Sequence, residues 1–217
     1  MTDSAPAARA VVIAIDGPAA AGKGTLARRL AAHFGLPYVD TGLLYRATGR
    51  RVLDAGGDPT DPAQATAAAR GLTAGDTERG DLRGPKADLA ASSVASIPGV
   101  RAALLDFQRS FGATHGAVLD GRDIGTVIFP NADVKLFVTA SAEARGIRRW
   151  RELAARGVTT DLDTVTAEIR TRDAADIARS AAPMVAATDA ILIDTTELDA
   201  DAAFAEVLGL IAEKCRV

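Results

Sequence analysis

Apolar residues along this chain come in short β-branched runs, separated by longer stretches in which they recur every three or four positions. The run Val11-Val12-Ile13-Ala14-Ile15 ends at Asp16-Gly17-Pro18 and predicts a buried strand stopped by a turn. Leu26, Leu30 and Phe34 then recur every fourth residue before Gly35, which predicts a helix over 23–34 with a glycine C-cap. Further strands are predicted at 36–39, 117–119, 134–138 and 191–193. Helices are predicted over 41–55, 62–70, 86–95, 99–111, 142–156, 163–177 and 199–214, with Pro98 interrupting the third and fourth of these. Residues 71–85 hold four glycines, one proline and many charges without a clear period, and predict a mobile loop. Short apolar strands alternating with helices imply a parallel sheet covered on both faces.

At 217 residues the chain suits one compact α/β domain, or a core with a small appended lobe. Its hydrophobic share of 48%, charged share of 24% and net charge of −3 argue against both disorder and a general polyanion-binding surface. Nucleic acid is therefore not an expected partner, and any phosphate chemistry must come from arginines gathered locally. Cys215 is the single cysteine, so no internal disulfide can form, and a cytoplasmic monomer is expected. Residues 1–9 carry no apolar run after a basic patch and read as a frayed tail. No apolar stretch approaches membrane-spanning length, so no membrane partner is expected.

Gly17-Pro18-Ala19-Ala20-Ala21-Gly22-Lys23 matches the G-x-x-x-x-G-K core of a phosphate-binding loop, between the predicted strand and helix that such a loop requires. Its backbone N–H groups would face a β-phosphate, with Lys23 adding a point charge, so ATP binding is expected. The bland alternative is a helix-capping glycine turn that happens to carry a lysine. Gly24 stands where the common motif has the Ser or Thr that touches Mg²⁺. The metal is then expected to rely on phosphate oxygens and water, with Asp120 as a carboxylate acting through water and Thr25 as a further oxygen. A turn or capping aspartate is the alternative for Asp120.

Arg46, Arg122, Arg145, Arg148, Arg149, Arg172 and Arg179 follow strand ends or lie in the late helices, where ligands of open parallel sheets bind. Arginine forks suit a second phosphate near the first. For Arg145, Arg148 and Arg149 the i, i+3, i+4 spacing equally fits a solvated helix face. His33 and His115 stand apart from every motif and read as structural. An acceptor that is itself a phosphate needs alignment and charge neutralisation more than a general base, and so fits this inventory.

Taken together, Ile15-Asp16-Gly17-Pro18 through Gly22-Lys23-Gly24-Thr25, then Asp40-Thr41-Gly42 with Tyr45-Arg46, then Asp120-Gly121-Arg122-Asp123-Ile124-Gly125-Thr126, resemble the bacterial cytidylate kinases. Arg172-Asp173 with Asp176, Arg179, Ala182 and Pro183 extends the resemblance over nearly the whole chain from Val11 onward. It implies an α/β P-loop kinase fold with a five-stranded parallel sheet, a small acceptor-binding lobe and a helical lid. Its parts would be a core of 10–56, 113–144 and 186–217, a lobe of about 57–112 and a lid of about 145–185. The implied reaction moves the γ-phosphate of ATP to CMP or dCMP with Mg²⁺ present. Lys23, Asp120, Arg122 and Arg179 are the implied catalytic set, and the loop from Gly17 to Thr25 with Arg149 the ATP site.

On the acceptor side the resemblance implies that Thr41, Arg46, Arg122 and Arg179 hold the phosphate and that Arg172 and Asp176 hold the ribose hydroxyls. Ser92, Arg101 and Asp123 are implied to read cytosine. An ionised Asp123 can only accept, which matches the amino group of cytosine and not the carbonyl of uracil. Arg101 can only donate, either to the ring or to Asp123. Three departures stand out: residues 72–85 replace the longer strand-rich insertion of other members, Thr41 replaces serine, and Ala175 and Ile177 replace charged residues. A UMP/CMP-type, shikimate-type or dephospho-coenzyme A-type kinase, and a non-catalytic ATP-binding switch protein, are the rival readings.

Overall fold

The computed structural model describes residues 10–214; the tail expected at 1–9 and Cys215 lie outside the described residues. Five parallel strands form the sheet: β1 (Val12–Asp16), β2 (Tyr38–Asp40), β3 (Ala117–Asp120), β4 (Val134–Thr139) and β5 (Ile191–Asp194). They lie in the order β2-β3-β1-β4-β5. Chain order therefore leaves β1 toward one edge and β3 toward the other, which opens a crevice at the carboxyl ends of these two neighbours.

Alternation along β1 sends its side chains to two cores. Ile13 and Ile15 pack with Leu26 and Leu30 of α1 (Lys23–Phe34) and with Val207 and Ile211 of α9 (Ala200–Lys214). Val12 and Ala14 face Leu119, Ile124 and Ile128 on the other side. Such burial of β-branched side chains, at roughly 1.5–3 kcal/mol each, is what holds the sheet between its layers.

Strand β2 begins two residues later than the sequence predicts. The N–H of Leu36 returns to the carbonyl of Ala31 at 2.9 Å and so completes the end of α1, while Pro37 has no N–H to give a ladder.

The other helices form two side structures. α2 (Thr41–Asp54), α3 (Pro62–Arg70), α5 (Pro85–Ala95) and α6 (Pro98–His115) share a core of Leu44, Val52, Val94, Val100 and Leu104. Pro98 opens α6 at a first-turn position rather than interrupting a helix, because the N–H it lacks would have had no partner there. α7 (Ala142–Ala155) and α8 (Leu162–Ile177) meet through Leu153, Val165 and Ile169, against which Ala20 packs. Ser141 and Asp161 cap these two helices by accepting from Ala144 and Thr164.

Residues 71–85, predicted to be a mobile loop, are instead pinned. They contain the short helix α4 (Ala74–Thr77) and a Leu82 that is only 1% exposed. Arg79 bridges Asp54 and Asp81, and Arg51 reaches Asp76 at 3.0 Å, so the charges that looked like solvated loop residues pair with one another. A π-helical turn, Ile124–Ile128, follows β3 and was not predicted.

Candidate active site

Four strands end in an aspartate: Asp16, Asp40, Asp120 and Asp194. The loop after β1 bends back over the crevice. Gly17 has φ +134°, and a Cβ there would lie 2.0 Å from the carbonyl oxygen of Val138, so only glycine fits. Gly22, at φ +88°, starts α1 with no side-chain cap and no acidic residue in the first turn. The helix N-terminus is thus open to an anion.

Lys23 is buried and donates from Nζ to the carbonyl of Pro18 at 2.6 Å. Burial and the nearby Arg122 pull its pKa well below the ordinary lysine range, against the pull of Asp120 and Asp16. A phosphate in the loop would supply the counter-charge it lacks.

Asp120 is buried at the end of β3, where desolvation and repulsion from Asp40 push its carboxyl up while Lys23 and Arg122 oppose them. A Cβ at Gly24 would stand 3.3 Å from both Asp120 Oδ2 and the Tyr38 hydroxyl. The absence of a side chain at position 24 therefore leaves the carboxylate facing the loop. Thr25 lines the same cleft, which measures about 1350 Å³ and runs from Ala203 past the loop to Arg46.

A smaller cavity of about 50 Å³ adjoins it, and Gly42, Ser92, Gly121, Arg122 and Arg172 line both. Thr41, Arg101, Asp123, Asp176 and Arg179 complete the polar lining of the smaller one. Eight of the nine residues expected at the acceptor thus surround one space, and Arg46 lies on the larger cleft beside it. Arg101 pairs with Asp123 and stacks 5.7 Å from the Tyr45 ring centroid, so of the two roles weighed for it the structure shows the pairing with Asp123. Arg122 donates from Nε to Asp176 at 2.9 Å, and Arg179 pairs with the other oxygen. Burial alone would raise the Asp176 carboxyl, but Arg122, Arg179 and Arg172 together hold it below the usual range. The Thr41 hydroxyl donates to the Asp120 carbonyl at 2.7 Å.

Arg145, Arg148 and Arg149 of α7 do not form a solvated face. Arg145 is buried against Asp173 and the carbonyl of Ala140, where it bolts α7 to α8 and is not on the cleft. Arg148 donates to the Thr195 hydroxyl at 3.0 Å, and Arg149 reaches across to Asp88 at 2.5 Å. Ala175 lines the cleft without a polar group, and Ile177 is 55% exposed. His33 stacks on Phe34 and Phe204, and His115 on Phe111, away from the cleft.

Sequence reasoning missed Asp16 and Asp88. Asp16 accepts the N–H groups of Ile124 and Gly125, each at 2.7 Å, and burial raises its carboxyl pKa to about 6. Its place at a strand end before the glycine loop was the available signal. Asp88, in an alanine-rich helix, gave none.

The cytidylate kinase family model matches residues 13–214. A cytidylate kinase of Acidiphilium cryptum is 63% identical over 203 residues, covering 94% of this chain and 96% of the relative. One from Granulibacter bethesdensis is 61% identical, covering 94% and 98%. Among solved structures, an uncharacterized protein from Eubacterium ventriosum superposes with a TM-score of 0.54 at 15% identity, over 93% of this chain and 98% of that one, a likeness of fold alone.

Proposed function

The chain belongs to the cytidylate kinase family, and from that premise we propose how its residues move the γ-phosphate of ATP to CMP. It is a nucleoside monophosphate kinase, a phosphotransferase whose acceptor is a phosphate. The observation that carries the residue assignment is the meeting of the two cavities at Arg122 and Arg172, which joins a phosphate loop to a pocket floored by Asp123 and Arg101.

ATP lies along the large cleft with its phosphates in the loop from Gly17 to Thr25 and on Arg149, and its purine toward Leu198, Ala200 and Ala203. The CMP phosphate takes Arg46, Arg122 and Arg179 with the Thr41 hydroxyl as a donor, while Arg172 and Asp176 take the ribose. Cytosine lies against Ser92 and Asp123, with Arg101 holding Asp123 in place. dCMP keeps every contact except those to the 2′-hydroxyl, and is a second substrate of the same site.

Transfer proceeds in line, and the chain's work is alignment and neutralisation of the three equatorial oxygens. Lys23 and the loop N–H groups stabilise charge building on the leaving ADP, and Arg122 and Arg179 stabilise the moving group. No base is required, because the attacking phosphate oxygen is already ionised. Mg²⁺ fits the Asp120 carboxylate that faces the loop across Gly24, and would be held through water there with Thr25 and the ATP phosphates. When bound it would neutralise charge on the ATP phosphates. The core, acceptor lobe and lid expected from the sequence, in a cytoplasmic monomer, complete the proposal.

Family membership removes the shikimate-type and dephospho-coenzyme A-type readings. A coupled assay of ATP consumption across a panel of nucleoside monophosphates tests the site assignment. CMP should be the best acceptor, and loss of that preference on replacing Asp123 should follow; an unaltered preference would remove Asp123 from the base pocket.

A further inference from the structure

Asp88 lies in the first turn of α5, one helical turn before Ser92. One of its oxygens accepts from Arg46 Nε at 2.9 Å and the other from Arg149 at 2.5 Å, while Arg172 stands 3.7 Å from the first. The three arginines come from α2, α7 and α8, so a single carboxylate, 16% exposed, ties both helices of the lid to the acceptor side. Asp40 and Glu152 each face one further edge of Arg46 and Arg149, at 4.0 and 2.8 Å. Arg172 is not saturated by this arrangement: its Nε is buried and has no partner.

A carboxylate and a phosphate oxygen compete for the same guanidinium donors, and a phosphate brings more charge and more acceptor atoms. The arginines that hold Asp88 are those assigned above to the acceptor phosphate, to ATP and to the ribose. We propose that Asp88 is a resident counter-ion: it occupies Arg46, Arg149 and Arg172 in the nucleotide-free enzyme and yields them when the acceptor phosphate arrives. This rests on the site assignment of the preceding section. Its consequence is that Arg149 of α7 and Arg172 of α8 are free to align the nucleotides only once the acceptor has displaced Asp88. Water is thereby kept from the γ-phosphorus, where its attack would break the bond to the β-bridging oxygen and release ADP, inorganic phosphate and a proton.

Asp88→Asn keeps the shape and removes the charge. Calorimetry without turnover should show CMP binding to Asp88→Asn about three- to tenfold tighter than to the unmodified protein, since each displaced ion pair no longer competes. ATP hydrolysis without acceptor should rise by a similar factor. Weaker or equal CMP binding, together with unchanged acceptor-free hydrolysis, would overturn the proposal and leave Asp88 as a side chain that only positions the arginines. If Asp88→Asn does not fold, Asp88→Ser carries the same two readouts. With Arg46→Ala, unweakened CMP binding would refute the acceptor-site assignment, whatever Asp88→Asn shows.

Discussion

The carboxylate of Asp16 accepts the backbone N–H of Gly125 at 2.7 Å across 109 residues of sequence. Its other oxygen takes Ile124, so the strand that launches the phosphate loop also fixes the turn beyond Arg122 and Asp123. The phosphate loop and the turn after β3 are joined through one buried side chain.

That joint makes stability depend on pH. Asp16 titrates at about 6 in the fold, raised first by burial, against 3.8 for a free aspartate. The fold therefore binds a proton more tightly than the unfolded chain. The contribution of Asp16 is greatest below the free value and falls by about 3 kcal/mol in all as pH rises from about 3 to about 7, most steeply between 4 and 6. Urea unfolding of the unmodified protein and Asp16→Asn should give a stability difference that shifts against the unmodified protein across that window and is flat above it. Parallel pH profiles would show that Asp16 does not titrate there.

Replacing Lys23 by Met removes a buried charge and the only ammonium in the loop. The protein should fold with no loss of thermal stability, while kcat falls by at least about 10²- to 10³-fold, the scale of a lost preorganised charge contact. Thermal melting and a coupled assay on the same sample check both halves.

Arg179→Ala should act on the acceptor side. Asp176 keeps Arg122 at 2.9 Å, so the pocket wall survives, but one cation is lost from the space proposed for the CMP phosphate. Steady-state kinetics should show kcat/KM for CMP falling much more than KM for ATP rises. The reverse pattern would put Arg179 in the donor site.

Gly17→Ala tests the loop's geometry. A methyl group there meets the Val138 carbonyl at 2.0 Å on a backbone with φ +134°, so destabilisation of more than about 2 kcal/mol is expected in chemical unfolding.

The β1–loop–α1 unit was legible because its period, its glycines and its lysine are contiguous. Arg122 and Arg179, the partners of Asp176, and the phosphate loop are legible as motifs, and the Arg101–Asp123 pair through the family resemblance. The π-helical turn was not legible, since the Asp16 oxygens that cap its N–H groups lie 108 and 109 residues away. Asp88 was invisible for the same reason: its meaning comes from Arg46, Arg149 and Arg172, and nothing in its own helix signals them. The charges of residues 71–85 misled because pattern alone does not distinguish a solvated charge from a paired one.

Asp123, held by Arg101 and 4% exposed, offers only acceptor oxygens to whatever base enters. In the proposed site the amino group of cytosine satisfies the oxygen that Arg101 leaves, and the carbonyl of uracil would leave it unpaired at roughly 1–3 kcal/mol. The most direct measurement is the ratio of kcat/KM for CMP over UMP in the unmodified protein and in Asp123→Asn. A ratio of at least about tenfold, narrowed by Asp123→Asn because an amide can turn its N–H toward uracil, is the predicted result. Equal use of CMP and UMP by the unmodified protein, or better use of AMP, would contradict it.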